Sequence, residues 1–144
     1  MKLGLISCAK SKQNYPCRAD EMYRPSALFS KAHDYAIVLY DQVAILSAKH
    51  GLLLPHEVIE PYEQTLKTMR RKAKKQWAEI VYKQLKDKLD FKNISEIFFH
   101  AGMDYREYLI PLMRREGVRV QVPLEGLRQG KQLQWYNIHL QDYD

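Results

Sequence analysis

Apolar residues along the chain fall into short continuous runs separated by longer stretches with helical spacing. The first run, Leu3-Gly4-Leu5-Ile6, shows no polar alternation, the pattern of a central parallel strand covered by helices on both faces. It stops at Ser7-Cys8 and passes into a basic loop carrying Lys10 and Lys12. Tyr15 to Asp20 has turn chemistry and is expected to be irregular, and Pro25 disfavours helix at Arg24. From about Ser26 to Tyr40, residues Ala27, Leu28, Ala32, Tyr35, Ala36 and Leu39 recur at helical spacing. A second strand, Val43 to Ser47, again ends in serine and is followed by Ala48-Lys49-His50-Gly51, so strand, serine and lysine occur twice in the same order.

Pro55 and Pro61 restrict their neighbours, so the segment between them is expected to be an extended connection across the strand ends. Met69, Ala73, Trp77, Ile80, Val81, Leu85 and Leu89 mark a long helix from Thr68, its expected cap, to Leu89. A third strand, Ile94 to Ala101, ends at Gly102. Asp104 is then expected to cap a helix carrying Tyr105, Tyr108, Leu109, Leu112 and Met113, with Pro111 inside it as a source of kinking. Gly117 closes that helix, Val118 to Val122 alternates like an outer strand, and Arg128 to Leu140 reads as a closing helix. Strands alternating with helices predict one α/β domain over residues 1–144, a three-layer α/β/α sandwich with a mainly parallel sheet of about four strands.

Composition narrows the class of protein. With 144 residues the chain is long enough to bury a core without staples. Two cysteines, Cys8 and Cys17, are too few for a disulfide scaffold or zinc site, and neither metal nor cofactor is expected. No apolar run approaches the roughly 20 residues of a membrane span, and no signal-peptide pattern opens the chain. A cytoplasmic protein without membrane contact is the expectation. The net charge of +6 favours a polyanionic partner. Arg70, Arg71, Lys72, Lys74, Lys75, Lys83, Lys86 and Lys88 crowd the long helix, either as a solvated face or as a surface that tracks a DNA or RNA backbone.

Candidate chemistry gathers at the strand ends, because open α/β sheets bind ligands outside the carboxyl ends of their strands. There the pattern places Ser7, Cys8, Lys10, Lys12, Ser47, Lys49, Gly51 and Gly102, with Glu60-Pro61-Tyr62 as a roof and Tyr105 nearby. Tyr62 or Tyr105 is suited to stack on a base, while lysines hold phosphate. Lys10 or Lys12 has a second reading, as an amine nucleophile made neutral by a neighbouring cation, with Glu60 or Glu125 relaying protons. Glycine-rich phosphate loops, nucleophile elbows and metalloprotease helices are absent from the sequence, so neither a nicotinamide dehydrogenase nor a P-loop enzyme is expected. The five histidines, among them His50, His56 and His100, stand singly; for His100 a ligand contact and a buried hydrogen-bonded role both remain open.

The segments Leu5-Ile6-Ser7-Cys8-Ala9-Lys10-Ser11-Lys12, Ile45 to Pro55 and Glu60-Pro61-Tyr62 resemble, in order, the YaaA peroxide-stress family, which opens Ile-Ser-Pro-Ala-Lys. The chain also resembles a family of small uncharacterised bacterial proteins sharing Ser-Cys-x-Lys-x-Lys, Leu-Ser-Ala-Lys-x-Gly-Leu and Gly-Lys-Gln-Leu-x-Trp, here Gly130 to Trp135. That likeness adds Lys131 and Gln132 to the candidate ligand residues. The opening is similar as well to a segment of archaeosine synthase, in which a lysine adds to the nitrile of a deazaguanine base in transfer RNA. These resemblances imply a shared fold and a shared location of the ligand site. The net basic charge and the cationic loop lead to the expectation of a pocket for a nucleobase, nucleotide or nucleic acid, with nucleic-acid modification or a DNA-damage or stress enzyme as the enzymatic form. The alternative is a non-catalytic DNA- or RNA-binding module acting through Arg70 to Lys75.

Overall fold

A computed structural model describes residues 1–143. The strands are β1 (Lys2–Ser7), β2 (Cys17–Arg18), β3 (Gln42–Ser47), β4 (Gly51–Leu53), β5 (Val58–Ile59), β6 (Glu96–His100) and β7 (Arg119–Gln121). The α-helices are α1 (Ala19–Met22), α2 (Ala27–Leu39), α3 (Arg71–Lys88), α4 (Met103–Arg106), α5 (Leu109–Arg115) and α6 (Gln129–Leu140). Five strands form the main sheet in the order β4-β3-β1-β6-β7. All neighbours are parallel except β4, which runs antiparallel along β3.

Central β1 explains the layering. Leu3 and Leu5 point to one face, where they join Trp77, Ala78, Val81 and Leu85 of α3 and Leu109, Leu112 and Met113 of α5. Ile6 points to the other, among Met22 and Tyr23 of the α1 segment, Phe29, Ala32 and Ala36 of α2, and Tyr136 of α6. Period-two alternation therefore feeds two cores, which is why the run is continuously apolar. The predicted three-layer α/β/α sandwich with a mainly parallel sheet is the observed fold, with five strands instead of four.

The helix following β1 lies on one face of the sheet, while those following the flanking strands β3 and β6 lie on the other. The chain thus diverges on both sides of β1, and its carboxyl end is a topological switch point, the place where crevices open in such sheets.

Several local expectations are corrected. Cys17-Arg18 is not irregular: it pairs antiparallel with Val58-Ile59, so the proline-bounded connection contains a strand. Two residues on each side carry too little pattern to be seen without their partner. The long helix starts at Arg71, not Thr68, which closes a short 3-10 turn capped by Thr65. Asp104 caps nothing; Gly102 is the cap position of α4 and Asp104 lies in its first turn. The helix expected through Pro111 is two helices, α4 and α5, and Pro111 occupies the first turn of α5, where a missing N–H costs nothing.

The edge strand β4 is closed by side chains from α3. Gln84 accepts from the Leu52 N–H at 2.7 Å and donates to the His50 carbonyl at 3.0 Å, and Lys88 Nζ donates to the Leu52 carbonyl at 2.8 Å. These bonds satisfy backbone groups that an open edge would present to other chains. Gly51 has φ +74°, and a Cβ there would collide with Gln84 Oε1. Gly51→Ala is therefore expected to cost about 2 kcal/mol, from the left-handed backbone and the displaced clamp together. Urea unfolding would measure it, and a loss below about 0.5 kcal/mol would show that neither constraint acts.

Candidate functional site

Three hydroxyls meet at the carboxyl end of β3. Tyr62 Oη lies 2.7 Å from Ser47 Oγ and 2.6 Å from Tyr23 Oη, so one phenol bridges the end of β3 to the segment after α1. Ser47 Oγ also accepts from the His50 N–H at 3.1 Å, and the Ser47 carbonyl accepts from Trp77 Nε1 at 2.9 Å. Gln64 Nε2 donates to the Ala48 carbonyl at 3.3 Å. The turn from Ser47 to Gly51 is thus gripped from three sides, and Ser47 is wholly buried. The three hydroxyls, the His50 N–H and the Ser47 and Ala48 carbonyls of this network are all paired, which is what lets it rigidify the turn.

Burial pushes the phenol of Tyr23 up to about 12. The Tyr62 and Tyr105 phenols are raised in the same way, first by burial and then by the nearby Cys8 thiol. All three are neutral at physiological pH and act as hydrogen-bonding groups, not bases.

Two ammonium groups approach the same ring. Lys12 Nζ lies 4.8 Å from the Tyr62 centroid, and Lys49 Nζ lies 6.0 Å from it. The two loops whose sequences echo each other therefore converge on one aromatic residue. Neither lysine has a carboxylate partner among the described residues, whereas Lys74, Lys86 and Lys88 are paired with Asp104, Glu116 and Glu57. Cys8 sits between the two cores, its backbone N–H bonded to the Leu46 carbonyl at 2.8 Å and its thiol donating to Tyr105 Oη at 3.4 Å. Tyr105 packs edge-on against Trp77 at 5.7 Å, so the cysteine side and the serine side of the site share a wall.

Ser7, Cys8, Lys12, Ser47, Lys49, Tyr62 and Tyr105 therefore gather around the ends of β1 and β3. Lys10 is exposed and meets Lys12 through its carbonyl, which accepts from Lys12 Nζ at 3.3 Å, not through its ammonium. Gly51 serves the clamp described above, and Gly102 is an exposed helix cap. Glu60 is exposed and forms no ion pair with Lys10 or Lys12 among the described residues. Glu125 is exposed in the turn before α6, Lys131 is exposed on α6, and Gln132 donates to the Leu127 carbonyl at 2.8 Å, a local tie that closes that turn. His100 is structural: Tyr40 Oη lies 2.6 Å from its Nε2 and Tyr136 Oη 2.6 Å from its Nδ1.

Sequence reasoning missed Tyr23, Trp77 and His50 as site residues. Trp77 has a helical-face signal that explains it as core, and only the fold reveals its indole N–H holding the serine turn. For Tyr23 the one available signal was its place before Arg24-Pro25, a segment too rigid to be a tail.

Two open spaces mark the surface, the first of them beside these residues. A groove of about 350 Å³ is lined by Lys49, His50, Leu53, Glu57, Val58, Ile59, Glu60 and Lys88 and adjoins the Tyr62 cluster through Lys49 and His50. A second, of about 390 Å³, lies along α3 between Arg71, Lys72, Lys75, Gln76 and Glu79.

Residues 3–138 match the model of a family described as a family of unknown function, DUF6884. The chain belongs to that family. It is 30% identical over 115 residues to the uncharacterized protein YfjM of Bacillus subtilis (strain 168), covering 75% of this chain and 74% of that relative. No solved structure matches the chain. The matched span of the DUF6884 model includes both lysine loops, the Tyr62 segment and most of α6. Among the described residues no helix is long and apolar enough to cross a membrane, and no group of three or more His, Cys, Asp or Glu is placed to hold a metal ion.

Proposed function

We propose that the carboxyl edge of the sheet binds a nucleotide, free or as part of a nucleic acid, with its phosphate held by Lys12 and Lys49. The observation that carries this reading is the convergence of two carboxylate-free ammonium groups on one aromatic ring at the topological switch point. Cations gathered without an anion of their own form an anion site, and the serine turn and the Tyr62 hydroxyl bridge fix the ring that both of them approach. The resemblance of this opening to the YaaA and archaeosine-synthase segments points to the same class of ligand. Of the two lysines proposed for chemistry, Lys12 is the one in contact with the site. The proposal is restricted to binding, because Lys10 is exposed and meets Lys12 only through its carbonyl, so the cation-beside-cation arrangement that would neutralise an amine nucleophile is not formed.

Lys12→Ala combined with Lys49→Ala is expected to weaken a nucleoside monophosphate at least tenfold, and the affinity of the wild-type protein should fall as salt rises. Calorimetric titration at two salt concentrations reads both effects. Unchanged affinity in the double variant would remove the lysine site.

A second reading rests on α3. Arg70, Arg71, Lys72, Lys75 and Lys83 have no carboxylate partner among the described residues, and three of them border the open groove along the helix. That surface suits the backbone of a duplex, read without regard to sequence. Salt-dependent duplex binding that survives the Lys12 and Lys49 substitutions and disappears on replacing Arg71, Lys72 and Lys75 by Gln would favour it.

A further inference from the structure

We infer that the groove beside Tyr62 is the seat of the ligand's heterocycle and that His50 is the residue that reads it. The inference rests on the nucleotide reading above and adds the position of the base and the group that recognises it.

The groove is about 350 Å³, within the range of sites for small organic ligands. Leu53, Val58 and Ile59 supply an apolar surface, and the far side is closed by Lys88, whose ammonium is 3.1 Å from Glu57. Glu57 also accepts from the Leu54 N–H at 2.6 Å, so both members of that pair are already engaged. Lys49, His50 and Glu60 are the polar lining groups without a side-chain hydrogen bond among the described residues. Lys49 belongs to both the groove and the lysine pair on Tyr62, so a ligand with phosphate on Lys12 and Lys49 has its remaining part at the groove mouth.

His50 is out of balance in this fold. Its backbone is fixed at both ends, the N–H on Ser47 Oγ and the carbonyl on Gln84 Nε2. Its ring stands edge-on to Tyr62 at 5.5 Å. Its Nε2 is sealed from solvent without a hydrogen-bond partner, the one such buried side-chain atom among the described residues. An unpaired buried polar atom costs stability, and a native fold carries one where something else is served. Burial first, then Lys49 and Lys88, lower the basicity of the imidazole, so it is neutral at physiological pH and offers one donor and one acceptor. A change of side-chain rotamer about Cα–Cβ swings the ring toward the groove it lines and takes Nε2 out of its sealed position, so that the edge of a bound base supplies the missing partner. A flat ring with apolar faces and a hydrogen-bonding edge, carrying a phosphate, is the ligand that this combination fits: a nucleoside monophosphate.

The test uses the full chain with the four common nucleoside monophosphates and, separately, inorganic phosphate. His50→Phe keeps a ring in place and removes the unpaired nitrogen. It is expected to weaken the best nucleoside monophosphate at least tenfold, to leave inorganic phosphate within twofold, and not to lower the melting temperature of the free protein. Val58→Trp provides an independent arm, since Val58 is 71% exposed and the larger ring blocks the groove without entering the core; the same separation of nucleotide from phosphate is expected. A lower melting temperature for His50→Phe with nucleotide affinity intact would make His50 a packing residue and overturn the inference. Nucleotide affinity that survives both substitutions but is lost with Lys12 and Lys49 would overturn it too, leaving the lysine site standing. Failure of the wild-type protein to bind any nucleotide or phosphate would instead remove the lysine reading and this one with it.

Discussion

Trp77→Ala is expected to lower stability by about 3–5 kcal/mol, the range for deleting a large aromatic side chain from a core. Trp77 is 7% exposed and lies between α3 and the sheet with Leu5, Leu46 and Leu52 in the same cluster. The substitution also frees the Ser47 carbonyl, which the indole N–H holds at 2.9 Å, and a buried carbonyl without a partner adds to the loss. Trp77→Phe keeps most of the volume and the edge-on contact with Tyr105 and removes only the donor, so it should cost about 1–2 kcal/mol. Urea unfolding of both variants gives the two figures. Equal losses would mean that the hydrogen bond to the serine turn contributes all of the effect, and a loss under about 1 kcal/mol for the alanine variant would show that the indole is not part of the core.

Acid is expected to destabilise the protein well before its carboxylates titrate. His100 is 6% exposed, and burial lowers its pKa from 6.5 to about 4. Both ring nitrogens meet phenols, so the neutral imidazole donates to one and accepts from the other, while an imidazolium would need both phenols to accept. Above about pH 6.5 the folded and unfolded chains are both neutral at this site and its stabilising contribution is complete. As pH falls below 6.5 the unfolded chain takes up the proton first, and the contribution is lost until the folded form also protonates near pH 4. The loss over that window is roughly 3 kcal/mol, corresponding to a fall in melting temperature of roughly 10 °C. His33, lowered by burial and then by Arg24, and His50 move stability in the same direction. Melting curves from pH 7.5 to 4 check the prediction for the native chain. His100→Gln, less stable at neutral pH, should show a flatter dependence; an identical slope in that variant would place the acid sensitivity elsewhere.

The lysine pair illustrates how far local information reaches. Ser7-Cys8-Ala9-Lys10-Ser11-Lys12 and Ser47-Ala48-Lys49 each follow a continuously apolar strand, so their place at the carboxyl edge was legible from position alone. Which lysine reaches the site was not. Lys12 lies over Tyr62 while Lys10 stays exposed, and that choice depends on the path of the loop to Gln13, whose N–H bonds to the Met22 carbonyl at 2.8 Å. The two-residue strands β2 and β5 were likewise invisible, because each exists only through the other.

By itself the amino-acid sequence determined the order of the principal strands and helices, the buried centre of the sheet and the edge where polar groups collect. Those features follow from the spacing of apolar residues over short distances, since a strand or helix must turn its apolar side to a core wherever it lies. The tertiary structure alone decided which side chains meet. Tyr23 and Tyr62, 39 residues apart, share a hydrogen bond of 2.6 Å, and Trp77 closes a turn 30 residues before it. Neither contact has a periodic signature, because it depends on the packing of whole layers and on backbone groups that every residue carries.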